Sequence, residues 1–408
     1  MLNKIVIVGT GQAGTQTALS LRDEGYAGGL TLVGEEPGFP YQRPPLSKAY
    51  LLGKMDDEGI QLKAPGLYAE YNIEFLDDVR AQSIDRAAHS LTLSNGRVLD
   101  YDHLVLATGA RQRPLTVPGC DLAGVLPLRT IVDAKDLMAR LGTIKHAVVV
   151  GGGFIGLEFA AVARAQGIDV TVVEIGPRLM GRALSEQMSR FFEDRHRSWG
   201  VKVLFGVGVA AIQGQDHVKA VQLSDGQILP ADLVLVGIGV IANTELAEAA
   251  GLTVGNGIVV DELLHTSDPD ISAIGDVAQH PNRFSAAGPP RIESVQNAMD
   301  QARALAARLV GKPRPYDAVP WFWSDQADLK LQMAGLSAGH DRAVVRGDPA
   351  SGAFSVFCFQ GDKLLAVESV NKGPDHMFGR RLLALDAVIT PEQAADESVP
   401  LKAYLPVK

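Results

Sequence analysis

The sequence predicts an α/β protein: two Rossmann-like, doubly wound domains and a smaller α+β domain after them. Two observations carry this. Ile5-Val6-Ile7-Val8 runs into Gly9-Thr10-Gly11-Gln12-Ala13-Gly14 and then a helical stretch from Thr15 to Glu24, and the same order recurs at the second site. There Ala147 to Val150 runs into Gly151-Gly152-Gly153-Phe154-Ile155-Gly156 and a small-residue helix from Phe159 to Gln166. One G-x-G-x-x-G is weak on its own, whereas two, each set between strand and helix, are a strong signature. The first glycine allows a tight turn, the second lets backbone approach a pyrophosphate, and the third packs helix on strand. The amides of the helix N-terminus then face the phosphates.

Each turn has an acidic follower. Leu30-Thr31-Leu32-Val33-Gly34 reads as a second strand ending at Glu35, 26 residues beyond Gly9, and Val170 to Val173 ends at Glu174, 23 residues beyond Gly151. A carboxylate at that position accepts hydrogen bonds from ribose hydroxyls and repels a 2′-phosphate, which favours NADH over NADPH. Arg178 and Arg182 follow closely and leave a phosphate contact open.

The remaining elements follow in order. Tyr41-Gln42-Arg43-Pro44-Pro45-Leu46-Ser47-Lys48 is fixed by its prolines and predicts a loop before a helix. Leu91 to Arg97 reads as a hairpin, and Tyr101 to Leu106 as an apolar strand ending in Ala107-Thr108-Gly109. Proline and arginine between Arg111 and Pro118 mark a crossing between domains. The second unit continues through Val201 to Phe205, a hairpin at Asp225-Gly226 and the strand Leu233 to Val236, ending in Gly237-Ile238-Gly239. Ala242-Asn243-Thr244 reads as the crossing back. Ile271 to Ile274 is a short strand before Gly275-Asp276, and Ser294 caps a helix running to about Leu309. Beyond the linker Gly311 to Pro315, Trp321-Phe322-Trp323-Ser324-Asp325, Phe354 to Phe359 and Leu364 to Val370 predict the strands of the third domain. The expected boundaries are 1–112 with 242–316, 113–241, and 317–408.

Composition narrows the function. The chain has 408 residues, of which 46% are hydrophobic, and a net charge of −9. That balance is ample for buried cores and argues against nonspecific nucleic-acid binding. No apolar run approaches the ~20 residues of a membrane span, and Met1-Leu2-Asn3-Lys4 leads into a strand with no leader, so the cytoplasm is the expected compartment. The 9 histidines form no metal-ligand spacing, and the 2 cysteines, Cys120 and Cys358, lie far apart.

Beyond these elements stand more specific marks: Pro44-Pro45-Leu46-Ser47-Lys48-Ala49-Tyr50, Ala107-Thr108-Gly109, Leu128-Arg129-Thr130, Ile274-Gly275-Asp276, Arg291-Ile292-Glu293-Ser294-Val295 and Pro320-Trp321-Phe322-Trp323-Ser324-Asp325-Gln326. With both glycine turns, they make the chain resemble the two-dinucleotide flavoproteins of glutathione-reductase-like architecture, and among these the bacterial oxygenase-coupled ferredoxin reductases. The resemblance covers essentially the whole chain. It implies FAD in the first domain, NADH in the inserted one, and a third domain over the flavin edge. For FAD it implies Gly9, Gly11, Ala13, Gly14, Glu35, Arg43, Lys48, Val79, Ala107, Thr108, Gly109, Arg129, Asp276, Val295 and Trp323. For NADH it implies Gly151, Gly153, Phe154, Ile155, Gly156, Glu158, Glu174, Arg182, Gly237, Ile238 and Gly239. Lys48 and Glu158 would form a catalytic ion pair near the flavin. Val295 would bring a helix N-terminus, roughly half a positive charge, to the reduced ring.

The acceptor is narrowed by a missing thiol. Disulfide reductases of this architecture carry C-x4-C near the segment occupied here by Tyr41 to Tyr50, and no cysteine is there. Electrons then leave from the flavin itself, and the resemblance implies a small acidic [2Fe-2S] ferredoxin feeding an oxygenase. Arg291, Lys312, Arg314 and Lys330 are expected as its basic docking rim. A rubredoxin reductase, a diaphorase-like NADH oxidase and a redox-signalling flavoprotein similar to apoptosis-inducing factor remain as alternatives.

Overall fold

The computed structural model describes residues 2–406, which divide into two compact units. The first comprises residues up to Gln42, Asp57–Arg111 and Ile241–Pro320. Its centre is a parallel sheet of five strands in the order Ile271–Ala273, His103–Leu106, Lys4–Val8, Gly29–Val33, Glu74–Leu76. The middle strands are buried on both faces, as a parallel sheet under helices requires. Helices Gln12–Asp23 and Val295–Leu309 pack together over it. Ser294 caps the second of these, its hydroxyl accepting from the Asn297 amide at 3.1 Å.

The second unit comprises Arg43–Asp56, Gln112–Val240 and Trp321 onwards. One parallel sheet runs Lys202–Phe205, Asp169–Glu174, His146–Val150, Leu233–Val236, Val125–Leu126. An antiparallel sheet runs Trp321–Gln326, Leu329–Gly335, Lys363–Val370, Ala353–Gln360, Arg342–Asp348. The sequence reading placed residues 43–56 in the first domain and 317–408 in a domain of their own; by their contacts 43–56 and the chain from Trp321 onwards group with 112–240, and 317–320 with the first unit. Buried polar bonds explain the grouping. Glu368, on strand Lys363–Val370, is 1% exposed and accepts from the Ser185 amide at 2.8 Å and its hydroxyl at 2.6 Å. Ser185 is the N-cap of helix Glu186–Ser198.

The helix expected after the prolines is instead a single 3-10 turn, Pro44–Ser47, followed by hydrogen-bonded turns. Its two prolines remove consecutive donors, and the chain leaves helical geometry at Lys48. No helix among the described residues is long and apolar enough to cross a membrane.

Candidate functional site

In the first unit the N-terminal turn divides its glycines by task. Gly9 has φ +114°, and a Cβ there would meet the Ala107 carbonyl oxygen at 2.2 Å; one on Gly14 would meet the Gly9 oxygen at 1.9 Å. A Cβ on Gly11 would meet nothing within 4 Å. The outer two glycines thus allow close packing and the middle one leaves an open cradle. Gly11 also stands at the N-cap of helix Gln12–Asp23, where it has no side chain to offer the leading amides. Ala13 packs against Gly275, whose amide donates to Gln301 at 2.7 Å.

Around this turn the other residues take their places on strand ends. Glu35 follows strand Gly29–Val33 with 70% of its side chain exposed and Arg80 at 3.9 Å. Val79 donates its amide to the Gly34 oxygen at 2.9 Å, closing the loop behind Glu35. Ala107, Thr108 and Gly109 leave strand His103–Leu106 and are tied to the returning chain: Thr108 Oγ1 donates to the Asn243 oxygen and Asn243 Nδ2 to the Thr108 oxygen, both at 2.8 Å. This Asn243 clamp was legible in sequence only as a crossing. Val295 opens the helix capped by Ser294, and no acidic residue stands in its first turn. Asp276 lies in the 3-10 turn Gly275–Val277, its carbonyl accepting from Arg291 at 2.8 Å.

Arg291 departs from the expected docking rim. Its side chain is only 7% exposed and pairs with Glu293 at 2.5 Å. A guanidinium held this way positions the backbone at Asp276 rather than meeting a partner. Lys312 is paired with Glu24 at 2.7 Å, while Arg314 stays exposed.

The second unit repeats the glycine division. Gly151 has φ +102°, and a Cβ there would meet the Gly237 oxygen at 2.4 Å; one on Gly156 would meet the Gly151 oxygen at 2.7 Å; at Gly153 the nearest atom is 4.0 Å away. Helix Phe154–Ala165 again lacks a side-chain cap. Ile155, in its first turn, is 37% exposed, and the Phe154 ring lies 4.7 Å from that of Phe322. Glu174 ends its strand with both carboxylate oxygens on backbone amides, Gly152 at 2.7 Å and Gly176 at 2.6 Å. Arg178 is committed elsewhere: it donates to the Leu184 and Gly181 oxygens and to Ser189. Arg182 instead lies over Gly239, where an added Cβ would come within 3.3 Å of its Nη2. Gly237 donates to the Val150 oxygen at 2.8 Å, and Ile238 continues the same loop. By these open cradles, bare helix ends and strand-end carboxylates, the residues present fit a dinucleotide in each unit.

A buried polar cluster completes the second unit. Glu158, only 4% exposed on helix Phe154–Ala165, pairs with Lys48 Nζ at 3.0 Å. Ser324 Oγ donates to it at 2.6 Å, and Ser47 Oγ donates to its other oxygen. Burial pushes the Glu158 carboxyl above the usual range, opposed by Lys48 and both hydroxyls. Arg43 donates to the Arg129 carbonyl at 2.7 Å, just ahead of helix Ile131–Leu141 and its Thr130/Asp133 capping box. Trp323 stands 5.7 Å from Trp321 on the strand that carries Ser324. Ser47 and Ser324 were missed as site residues because a serine carries no distinctive spacing.

Residues 3–302 match the family model described as pyridine nucleotide-disulphide oxidoreductase, and residues 321–405 one described as reductase C-terminal. The chain belongs to the pyridine nucleotide-disulphide oxidoreductase family. Within it, rhodocoxin reductase of Rhodococcus erythropolis is 52% identical, over 98% of this chain and 93% of its own. Putidaredoxin reductase of Pseudomonas putida is 45% identical, over 99% of this chain and 97% of its own. Among solved structures, a ferredoxin reductase from Rhodopseudomonas palustris superposes with a TM-score of 0.97 at 50% identity, covering 99% of this chain and all of that one. The putidaredoxin reductase–putidaredoxin covalent complex gives 0.95 at 44% identity, covering 98% of each chain. This family member keeps neither cysteine beside the Lys48–Glu158 pair: Cys120 is half-buried elsewhere and Cys358 is buried in strand Ala353–Gln360.

Proposed function

We propose that this protein passes electrons from NADH, through FAD, to a small acidic [2Fe-2S] ferredoxin that supplies a haem-thiolate monooxygenase or a Rieske dioxygenase. The reading is carried by full-length likeness to reductases named for a small redox protein, one of them solved in covalent complex with it. The first unit's turn Gly9, Gly11, Ala13 and Gly14, with Glu35, Val79, Ala107 to Gly109, Asp276 and Val295, holds FAD; by the family resemblance alone, Arg43, Lys48, Arg129 and Trp323 serve the same cofactor. The second turn, Gly151, Gly153, Phe154, Ile155 and Gly156, with Glu174, Arg182 and Gly237 to Gly239, holds NADH.

Bound flavin and nicotinamide supply the hydride chemistry. The protein's own groups bind and orient. The Val295 helix end supplies positive potential where negative charge develops. Lys48 and Glu158 serve the hydride step as a coupled ion pair. The cytoplasm is the assigned compartment, in keeping with two free thiols.

The test is NADH-dependent reduction of a [2Fe-2S] ferredoxin by the yellow, FAD-loaded protein. Extracted cofactor is expected to be FAD. Recovery of FMN, or ferredoxin reduction no faster than reoxidation by oxygen, sinks the reading.

A further inference from the structure

We propose that Ser324, Gln326 and His196 form a one-way chain of hydrogen-bond donors that, with Ser47, positions Glu158 for Lys48. The inference rests on the reading of Lys48 and Glu158 as the pair serving the hydride step. None of the four is assigned a contact with a reacting atom, so they are positioning residues.

The direction of the chain follows from donor inventories. An ionised Glu158 can only accept, and Ser324 gives it its single proton at 2.6 Å. Ser324 must then accept from Gln326, whose Nε2 lies 3.1 Å away. That turns Gln326 Oε1 toward His196, so His196 Nε2, at 2.8 Å, carries the hydrogen. The other ring nitrogen, Nδ1, has no hydrogen-bond partner among the described residues, and burial pulls His196 down to about 4, so the ring is neutral and in the Nε2–H tautomer at neutral pH. Each member donates toward the carboxylate, and such aligned bonds strengthen one another in a low-dielectric interior. Ser324 and Gln326 share one face of strand Trp321–Gln326 because they are two residues apart.

The cost these donors oppose is large. A carboxylate 4% exposed loses most of its hydration, and the charged group acting on it is Lys48, from the residue after turn Pro44–Ser47. From that turn the facing group is Ser47; from the strand it is Ser324, backed by Gln326. The Ser47 hydroxyl takes the oxygen that Lys48 and Ser324 leave. Removing one hydroxyl shifts Glu158 toward its neutral form, and Lys48 then loses its counter-charge.

The test is stopped-flow reduction of the FAD-loaded protein by NADH across a pH series, paired with infrared titration of its buried carboxyls. Glu158→Gln identifies the Glu158 band. In Ser324→Ala the acid limb and the band should both move up by about one pH unit, the effect of losing a donor to a charged group. Gln326→Leu should give a smaller move in the same direction, and Ser324→Thr should stay at the wild-type position. A limb and band unmoved in Gln326→Leu and in whichever serine variant folds would overturn the proposal. Should NADH fail to reduce the wild-type flavin, the functional reading falls, while the infrared titration still decides whether this chain sets the charge on Glu158.

Discussion

Glu174 is held before any nucleotide arrives, because its two oxygens already take the Gly152 and Gly176 amides. In the proposed NADH site each oxygen keeps a lone pair for a ribose hydroxyl, and the fixed negative charge would repel a 2′-phosphate. Arg178, the nearer of two arginines that a phosphate might have used, spends its guanidinium on Leu184, Gly181 and Ser189. Glu174→Ala should therefore lower kcat/KM for NADH by about tenfold, one charged hydrogen bond's worth, with little gain for NADPH. Initial-rate kinetics with both nucleotides check this. A variant that prefers NADPH would mean that Arg182 alone commands the ribose end.

In the proposed FAD turn, binding and folding fall to different glycines of a single element. A Cβ on Gly11 meets no protein atom, whereas one on Gly14 would sit 1.9 Å from the Gly9 oxygen. Gly11→Ala should fold at near wild-type Tm and lose FAD on gel filtration, while Gly14→Ala should be insoluble or strongly destabilised. Equal FAD content in Gly11→Ala and wild type would remove the first turn from the FAD site. Strand Lys363–Val370 makes a second element-level case through Glu368, whose carboxyl burial pushes above the usual range. A raised folded value means the native state holds this proton more tightly than the unfolded chain. The resulting stability is fully present below the ordinary glutamate range and is lost as pH rises through the folded value. Urea unfolding should show wild type losing stability across that window and Glu368→Gln losing less. Parallel pH curves for the two would show that Glu368 stays ionised throughout.

For the molecule as a whole, the net charge of −9 would repel the proposed acidic ferredoxin, so the proposal requires local cations such as exposed Arg314 and Lys330 to carry docking. With a Debye length of about 10 Å at 0.1 M salt, steering by these residues fades as ionic strength rises. Ferredoxin-dependent turnover should fall steeply with salt while NADH reduction of ferricyanide changes little, and Arg314→Glu should raise KM for ferredoxin several-fold. Equal salt responses in both assays would remove charge from recognition. What sequence made legible was local: glycine turns, strand-end carboxylates, the Ser294 cap and the absent thiol pair each lie within one short stretch. What it hid is non-local. Ser324 meets Glu158 from 166 residues away, and the burial of Arg291 depends on how its loop folds back. The joint between Ser185 and Glu368 has a consequence for modularity. The loop after Glu174 ends at Ser185, so the C-terminal sheet helps set where that loop stops. Grafting a relative's terminal sheet onto this chain, or borrowing its nucleotide preference by loop exchange, is therefore a coupled substitution: the serine and the glutamate have to travel together.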